Sequence, residues 1–298
     1  MAIYVERLIR CDLDRLWSHT QDPALHERWD LRFTAIEYLP RTSSLDPQRF
    51  LYTTQIGLGV SVSGEGESVT RIEASNGERT SSLKFWSDER RSLIREGSGY
   101  WKYIPTADGI RFLTWYDYRT RFGGAGLAVD RLLFRPLLGW ATAWSFDRLR
   151  LWLEERIEPE TALRQTLVHA VARATLTFVF VYHGIVPKLL RHDTGELSMF
   201  RDAGVSASHV AAAINVTGLL EVGLASALLL RWNRAWPASI AVAAMAAATV
   251  AVAVFSPRFL TAAFNPISLN AAVAALAAID ILTLRGLPSA ANCRRSPG

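Results

Sequence analysis

The sequence predicts an α+β domain, built from an antiparallel curved sheet and a long C-terminal helix, followed by an all-α bundle of four transmembrane helices. Two observations support this fold class. The 298 residues are 50% hydrophobic, but the apolar residues alternate with polar ones in the first half, whereas beyond about Leu167 they form long blocks of Ala, Val, Leu and Ile. Charged residues in the second half lie between these blocks, as they do in the loops between membrane spans.

The first predicted elements are a strand and two short helices. The segment "MAIYVERLIRC" alternates like a half-buried strand, and "DLDRLWSHTQDPALHERWD" has helical spacing with Asp12 as its cap. Six more strands are predicted up to Phe122, separated by Gly, Asp, Asn, Pro and Ser turns. The segment "LAVDRLLFRPLLGWATAWSFDRLRLWLEER" then predicts a long helix, bent near Pro136, that covers one face of the sheet.

This order of elements resembles the START-like (SRPBCC) helix-grip fold over roughly residues 1–158. The resemblance rests on the element order and on "LWSHTQDPALHERW", where Leu16, Trp17, Pro23 and Trp29 match the early helices of the family. It implies a sheet wrapped around a long terminal helix, often with a cavity for an apolar ligand. The family includes lipid carriers, cyclases, hydrolases and co-chaperone-like binders, and the fold alone does not choose among them.

One strand supplies candidate residues for such a cavity. In "IRFLTWYDYRTRF", Phe112, Tyr116 and Tyr118 share one face, and we expect them to line the cavity. Further polar candidates in this domain are His19, His26, Asp30, Glu65 and Glu67. They form no recognisable triad, so the catalytic residues, and whether the protein is an enzyme, stay open. The alternative interpretation places the histidines on the surface of the short helices and the tyrosines in the cavity wall or the core.

The long helix interleaves tryptophan and arginine just before the first apolar block. These residues are Trp140, Trp144, Trp152, Arg131, Arg135, Arg148 and Arg150. Two interpretations of this helix remain open. The helix grazes the lipid headgroups, or its tryptophans pack on the sheet while its arginines face water.

Four blocks are long enough to cross the ~30 Å of hydrocarbon in a bilayer. They are residues 166–190, 209–231, 235–255 and 260–284. Arginines concentrate before the first block, after the second and after the fourth, whereas the other loops are balanced or nearly uncharged. This distribution predicts a multi-pass protein of the inner (plasma) membrane with both termini in the cytoplasm, and residues 286–298 are predicted to be a flexible basic tail.

The first block and the loop after it resemble the DoxX-like family of four-span membrane proteins. The segments are "FVFVYHGIVPKLL" and "DTGELSMF", and the resemblance covers roughly residues 165–285. The residues that carry the match are Tyr182, His183, Gly184, Pro187 and Lys188. The resemblance implies a four-helix bundle. Because DoxX-like relatives include subunits associated with sulfur-compound oxidation that pass electrons to quinone, it also implies quinone as a candidate cofactor.

Position along the spans predicts an intramembrane polar site. Lys188 is expected to snorkel to the outer boundary, whereas Glu221 is expected near mid-membrane, where an ionised carboxylate costs a few kcal/mol or more. Glu221 should therefore face inward, carry a proton, or pair with His183 or Tyr182. The predicted site comprises Tyr182, His183, Lys188, Asn215, Glu221, Asn265 and Asn270.

Two interpretations of this polar site remain open. It takes up a proton or holds a quinone-like or lipid headgroup, or else it is an interhelical hydrogen bond that fixes helix register. Asp280, near the cytoplasmic end of its span, is expected to be a solvated boundary residue or a partner of Arg231 or Arg234.

The combined prediction is a membrane-anchored binding protein. Its cytoplasmic domain binds an apolar or amphipathic, lipid-like small molecule, and its bundle anchors it in the bilayer. The alternatives are a quinone-linked membrane oxidoreductase subunit and a membrane scaffold. Cys11 and Cys293 form neither a CxxC pair nor part of a metal-ligand cluster, so no metal is expected. The arginines follow membrane topology, so nucleic acid is not an expected partner.

Overall fold

The computed structural model of the chain consists of two compact units. The structure describes residues 2–43, 46–57 and 59–297. The first unit comprises Met1–Ala162 and Pro288–Gly298, and the second comprises Leu163–Leu287.

The first unit contains a seven-stranded antiparallel sheet. Its strands are β1 (Ile3–Ile9), β2 (Ala35–Tyr38), β3 (Gln48–Gly57), β4 (Val60–Glu73), β5 (Arg79–Trp86), β6 (Ile94–Thr106) and β7 (Gly109–Thr120). The order in the sheet is β1-β7-β6-β5-β4-β3-β2. Strands β2 to β7 therefore form a meander, and β1 extends it as an edge strand by pairing with β7.

Helices lie between β1 and β2 and after β7. They are α1 (Leu13–Gln21), α2 (Pro23–Trp29), α3 (Gly123–Val129) and α4 (Arg135–Glu155), with one π-helical turn, Asp130–Phe134, between α3 and α4. The predicted cap is confirmed, because Asp12 accepts a hydrogen bond from the Arg15 amide at 2.8 Å. This π turn immediately precedes Pro136, which lies in the first turn of α4, where proline is tolerated.

The core of the first unit forms where α4 packs on the sheet. The ring of Phe112 on β7 stacks on that of Phe146 on α4, with centroids 4.4 Å apart. Both side chains are fully buried, as is Trp29 at the end of α2. The order strand, two helices, six strands and long helix is the order predicted from the sequence, and the predicted fold class is confirmed.

The C-terminal residues are docked on the first unit, which differs from the flexible tail predicted from the sequence. Glu6 on β1 and Arg294 exchange two backbone hydrogen bonds of 2.9 Å. The carboxylate of Asp147, buried on α4, accepts from the Ser289 amide at 2.9 Å and from Asn292 Nδ2 at 2.8 Å. The polar, basic composition of residues 286–298 predicts that they are solvated. Composition alone does not reveal that the edge strand β1 and the buried Asp147 carboxylate, both distant in sequence, supply hydrogen-bond partners for this tail.

The second unit is helical. Its helices are α5 (Pro159–His183, which begins in the first unit), α6 (Thr194–Asp202), α7 (Val210–Leu230), α8 (Trp236–Phe255) and α9 (Pro266–Thr283). A π-helical segment, Gly184–Arg191, continues α5. Among the described residues, four helices are long and apolar enough to cross a membrane: α5 with its π-helical continuation, α7, α8 and α9. The four predicted spans are thereby confirmed, although the fourth helix begins at Pro266, because Asn265 caps it.

Small side chains dominate the core of the second unit. The buried residues of this core are Leu176, Phe180, Ala225, Leu228, Ala238, Ala241, Val273 and Ala277. Alanine lets helix backbones approach closely, which is how transmembrane helices gain packing energy in a solvent as apolar as their own side chains.

Candidate functional sites

The three aromatic residues predicted to line a cavity all lie on the β7 face that packs against α4 and the turn before it. Phe112 stacks on α4, the Tyr116 hydroxyl lies 2.8 Å from Thr142 Oγ1, and the Tyr118 hydroxyl donates to Asp130 at 2.6 Å. All three are at least nine-tenths buried. Burial and the hydrogen bond to Asp130 raise the pKa of Tyr118, so its hydroxyl stays a donor.

Aromatic rings of the neighbouring strands contact glycines on the same face of the sheet. The directly opposed pairs are Phe50 with Gly66, Tyr52 with Gly64, and Phe85 with Gly97. A Cβ added at any of these glycines would lie 2.3 to 2.4 Å from the facing ring, so only glycine permits this contact. The three rings are half-buried, in contrast to the fully buried Phe112. We call these three rings the aromatic floor.

An ion cluster lies in the interior of the same unit. Arg32 binds the Asp30 carboxylate with two hydrogen bonds, Nε to Oδ1 at 2.9 Å and Nη2 to Oδ2 at 2.6 Å. His26 Nε2 lies 3.0 Å from Asp30 Oδ2. Burial opposes ionisation of Asp30, but the charge of Arg32 and the hydrogen bonds from Arg32 and His26 together outweigh it and hold the pKa of this carboxyl well below its usual range. The Arg32 guanidinium also lies 5.5 Å from the centre of the Tyr116 ring.

The sequence singled out His26, Asp30 and Tyr116 and missed Arg32, which joins them. The available signal was an arginine two residues after the aspartate, with the two charges interleaved among Trp, Leu and Phe in "RWDLRF". The other polar candidates lie elsewhere. His19 packs edge-on against Trp152, and burial lowers its pKa, while Glu65 forms an exposed ion pair with Arg49.

The tryptophans and arginines of the long helix divide between the two interpretations. Trp144 and Trp152 are buried, which supports packing within the domain for this part of the helix. Arg148 is buried as well, although the packing interpretation placed the arginines in water. Trp140, near the start of α4, is 45% exposed, and Arg131 is exposed. The two tryptophans in the C-terminal part of α4 therefore pack within the domain. The exposed tryptophan and the exposed arginine lie near or just before the start of the helix.

In the second unit, Lys188 bridges two carboxylates. Its Nζ lies 3.0 Å from Glu196 Oε1 and 3.1 Å from Glu221 Oε1. Lys188 is 7% exposed, so it is buried where the sequence predicted a snorkelling side chain. The difference arises because two carboxylates, one of them on α6, stabilise the ammonium within the protein. Glu221 Oε2 is buried and has no hydrogen-bond partner among the described residues.

Two glycines bring these charges together. A Cβ at Gly184 would lie 2.7 Å from the carbonyl oxygen of Gly218, and a Cβ at Gly218 would lie 2.8 Å from that of Gly184. The π-helical continuation of α5 therefore contacts α7 backbone to backbone. This close approach lets Lys188 reach Glu221 one turn further along α7.

The remaining members of the predicted intramembrane site are dispersed. Asn215 faces His192 Nε2 at 2.8 Å, Asn270 donates to Thr249 at 3.1 Å, and Asn265 caps α9 through the Ser268 amide. Tyr182, 48% exposed, stands beside the half-buried His183, with ring centroids 5.8 Å apart. Of the seven predicted residues, only Lys188 and Glu221 are joined by an ion pair in the described part of the chain, together with Glu196, which the sequence did not single out.

A second buried charge cluster was also missed. Arg173 on α5 and Asp280 on α9 are both fully buried, with Arg173 Nε 3.0 Å from Asp280 Oδ1. The other guanidinium nitrogens donate to the backbone carbonyls of Leu228, Arg231 and Arg234. The expectation that Asp280 is a solvated boundary residue, or pairs with Arg231 or Arg234, is therefore wrong. The signal was an arginine inside the apolar run "HAVARATLTFVF".

His169 completes this second cluster. Its Nδ1 lies 2.9 Å from Asp280 Oδ1 and its Nε2 lies 3.0 Å from the carbonyl oxygen of Trp232. Thr283 donates its hydroxyl hydrogen to the Asp280 carbonyl, so its oxygen can only accept from Nδ1. Both ring nitrogens thus face hydrogen-bond acceptors. Among the described residues, no group of three or more His, Cys, Asp or Glu side chains could hold a metal ion.

The geometry defines the class of protein. It is a membrane protein in which a helix-grip domain precedes four apolar helices, and residues 177–278 match the model of the DoxX-like family. The chain belongs to the same family as the protein named uncharacterized membrane protein YndG of Bacillus subtilis (strain 168). The two are 45% identical over 235 residues, which are 78% of this chain and 79% of the relative.

Solved structures similar to this chain match it over about half its length. A STAR-related lipid transfer protein from Xanthomonas axonopodis covers 46% of this chain and 79% of its own, with 16% identity and a TM-score of 0.37. The Zhui aromatase/cyclase from Streptomyces sp. R1128 covers 50% of this chain and 95% of its own, with 12% identity and a TM-score of 0.35.

Proposed function

We propose that this protein is a membrane-anchored binding protein whose helix-grip domain holds an apolar or amphipathic small molecule. The observation that carries the proposal is the aromatic floor. Its rings face the interior of the fold and yet remain half-buried, although apolar rings that face a well-packed core are usually excluded from water. An apolar ligand would complete their burial.

The interior also offers a polar contact for an amphipathic ligand. Arg32 and His26 share one buried carboxylate, that of Asp30, and Tyr116 presents its ring to Arg32. Polar groups at one end of an apolar surface fix the orientation of a ligand that has one polar end. This arrangement supports a lipid-like molecule over a purely hydrocarbon one.

The test is native mass spectrometry of the whole chain released from mild detergent. Leu83 lies on the inner face beside Gly99 and Tyr116, whereas Lys84 points to the opposite face. We expect a small-molecule adduct with the wild type and with Lys84→Trp, and its loss with Leu83→Trp, which fills the interior. An adduct that survives Leu83→Trp unchanged, or no adduct on any form, overturns the proposal.

A second candidate function is a quinone-linked role of the membrane bundle. It is favoured by Glu221 Oε2 beside Lys188, because this oxygen has no hydrogen-bond partner in the part of the chain that the structure describes. A buried acceptor with no donor is suited to a ligand hydroxyl or to a proton. Under this function Glu221→Gln removes a quinone adduct from the native mass spectrum while leaving any adduct that Leu83→Trp displaces. Retention of quinone by Glu221→Gln argues against it.

The proposed location is the inner (plasma) membrane, with both termini in the cytoplasm. The argument is the concentration of arginine before the first span, between the second and third, and after the fourth. Fusions of a fluorescent protein and of alkaline phosphatase to the C-terminus test it. Fluorescence without phosphatase activity is expected, and the reverse pattern places the C-terminus outside.

A further inference from the structure

We propose that residues 122–140, which comprise the end of the β7 connection, α3, the π-helical turn and the start of α4, dock on the surface of the lipid bilayer. We call these residues the apolar segment. Its exposed side chains include Leu127 (41% exposed), Val129 (51%), Leu132 (83%), Leu133 (58%), Leu137 (53%) and Trp140 (45%). A domain that is simply dissolved in water rarely leaves so many large apolar side chains uncovered along one short stretch.

The apolar segment is held in place by hydrogen bonds and ion pairs to the sheet, so its exposed side chains do not result from local disorder. The buried carboxylate of Asp130 accepts from the Tyr118 hydroxyl at 2.6 Å and from Arg135 Nε at 2.7 Å. Arg135 also bonds Asp117 on β7 at 2.8 Å. These bonds attach the turn to the sheet and leave the leucines on the opposite side of the turn uncovered.

The charge of the apolar segment suits a bilayer with anionic lipids. The segment contains three charged residues, Asp130, Arg131 and Arg135. Asp130 is buried and paired with Arg135, so the charge that reaches solvent is that of Arg131. A half-exposed Trp140 completes the set, and indole prefers the boundary between headgroups and acyl chains. Apolar side chains, an interfacial tryptophan and an exposed arginine are the composition of a helix that lies in the membrane interface.

The chain itself keeps the apolar segment near a bilayer. Helix α4 ends at Glu155, and α5, the first helix able to cross a membrane, begins at Pro159. Trp140 precedes the end of α4 by 15 residues, or about 22 Å of helix. A tether this short gives the bilayer a high effective concentration at the segment, which a second copy of the chain does not have. Docking of the apolar segment does not require a bound ligand. Docking would, however, let an apolar ligand pass from the lipid phase to the helix-grip domain.

The experiment places an environment-sensitive nitrobenzoxadiazole probe on the whole chain in vesicles of phosphatidylcholine and phosphatidylglycerol. Cys11 and Cys293 are replaced by serine, and the probe is attached through Leu133→Cys. The matched control is Ile72→Cys on β4, because Leu133 is 58% exposed and Ile72 is 55% exposed. Quenching is measured with brominated acyl chains and with iodide in the water.

We expect the probe at position 133 to be quenched several-fold more by brominated lipid than the probe at position 72, and several-fold less by iodide. Similar quenching at the two positions overturns the proposal. A probe at position 133 that is shielded from both quenchers also overturns it, because a protein surface, such as a second copy, would then cover the apolar segment.

A second pair of variants tests the contribution of charge and remains informative if labelling disturbs the fold. Arg131→Glu should reduce the brominated-lipid quenching of Trp140 in vesicles with phosphatidylglycerol, and have little effect in phosphatidylcholine alone. The readout is the difference in quenching between otherwise identical chains with Trp140 and with Trp140→Phe. Equal quenching of both chains contradicts docking. Ligand retention in the mass-spectrometric test is scored separately, so failure of docking and failure of ligand binding are distinguishable.

Discussion

Arg173 and Asp280 form a fully buried ion pair that joins the first of the apolar helices to the last. The same guanidinium donates to three carbonyl oxygens at the end of α7 and in the turn to α8. One side chain on α5 therefore connects α7, α9 and the turn that leads into α8 at one end of the bundle. Because a charge without its partner is very costly in a dry interior, the pair is expected to determine whether that end stays closed.

Arg173→Met should destabilise the bundle strongly. The change leaves the Asp280 carboxylate without its cation and three carbonyls without a donor, and loss of one partner of a buried pair costs about 3–5 kcal/mol. Arg173→Met with Asp280→Leu should cost less than the sum of the two single changes, because it removes both charges. Thermal unfolding of the detergent-solubilised chain measures this, with Arg258→Ala as the control because Arg258, paired with Asp202, is 61% exposed. A wild-type melting temperature for Arg173→Met would show that the pair does not support the bundle.

Two glycines of α7 should respond in opposite directions to the same substitution. Gly218→Ala places a Cβ 2.8 Å from the Gly184 carbonyl oxygen and pushes the helices apart, whereas Gly223 has nothing within 4 Å of an added Cβ. Gly223→Ala is expected to stabilise the helix by about 0.5–1 kcal/mol. Gly218→Ala should lower the melting temperature and separate Lys188 from Glu221. Equal effects of the two substitutions on the melting temperature would contradict the backbone contact between Gly184 and Gly218.

Arg32→Ala should destabilise the helix-grip domain most at neutral pH. In the wild type the pKa of Asp30 is depressed, so its stabilising contribution is present above the usual aspartate value of about 3.9 and is lost as the pH falls through the depressed value. Without Arg32, burial dominates and the ionised carboxylate destabilises the fold by about 3 kcal/mol or more. The difference between wild type and variant should shrink as the pH falls below about 4.

Near-ultraviolet circular dichroism during thermal unfolding of the whole chain measures this difference at several pH values. Arg49→Ala is the control, because the Arg49–Glu65 pair is exposed and should contribute little at any pH. A difference that grows in acid would mean that Arg32 does not act through Asp30.

Elements with a regular hydrophobic period could be predicted from the sequence, and contacts between distant charges could not. The alternation of "IRFLTWYDYRT" places Phe112 and Tyr116 on one face of β7, and the structure agrees, because period 2 is a local property of a strand. The partner of Lys188 depends on the approach of Gly184 to Gly218, which lie 34 positions apart. The position of Lys188 along its span predicted only that its side chain reaches the membrane boundary. That position could not predict the ion pair with Glu196, which depends on how α6 is placed.

Removal of residues 288–298 should loosen the helix-grip domain at its β1 edge. The deletion removes the strand partner of Glu6 and two of the donors to the buried Asp147 carboxylate. Arg150, whose Nε lies 2.8 Å from Asp147, remains, so the domain should stay folded but lose about 1–3 kcal/mol for the unsatisfied acceptor.

Hydrogen exchange of the full-length chain and the deletion variant measures the effect. The Glu6 amide donates to Arg294 in the intact chain and should exchange faster once the tail is absent, whereas amides in the central pair β5 and β6 should be unchanged. A chain shortened only by residues 296–298 is the control and should match the full-length chain. Unchanged protection at Glu6 after the longer deletion would show that the C-terminal residues do not stay paired with β1 in solution.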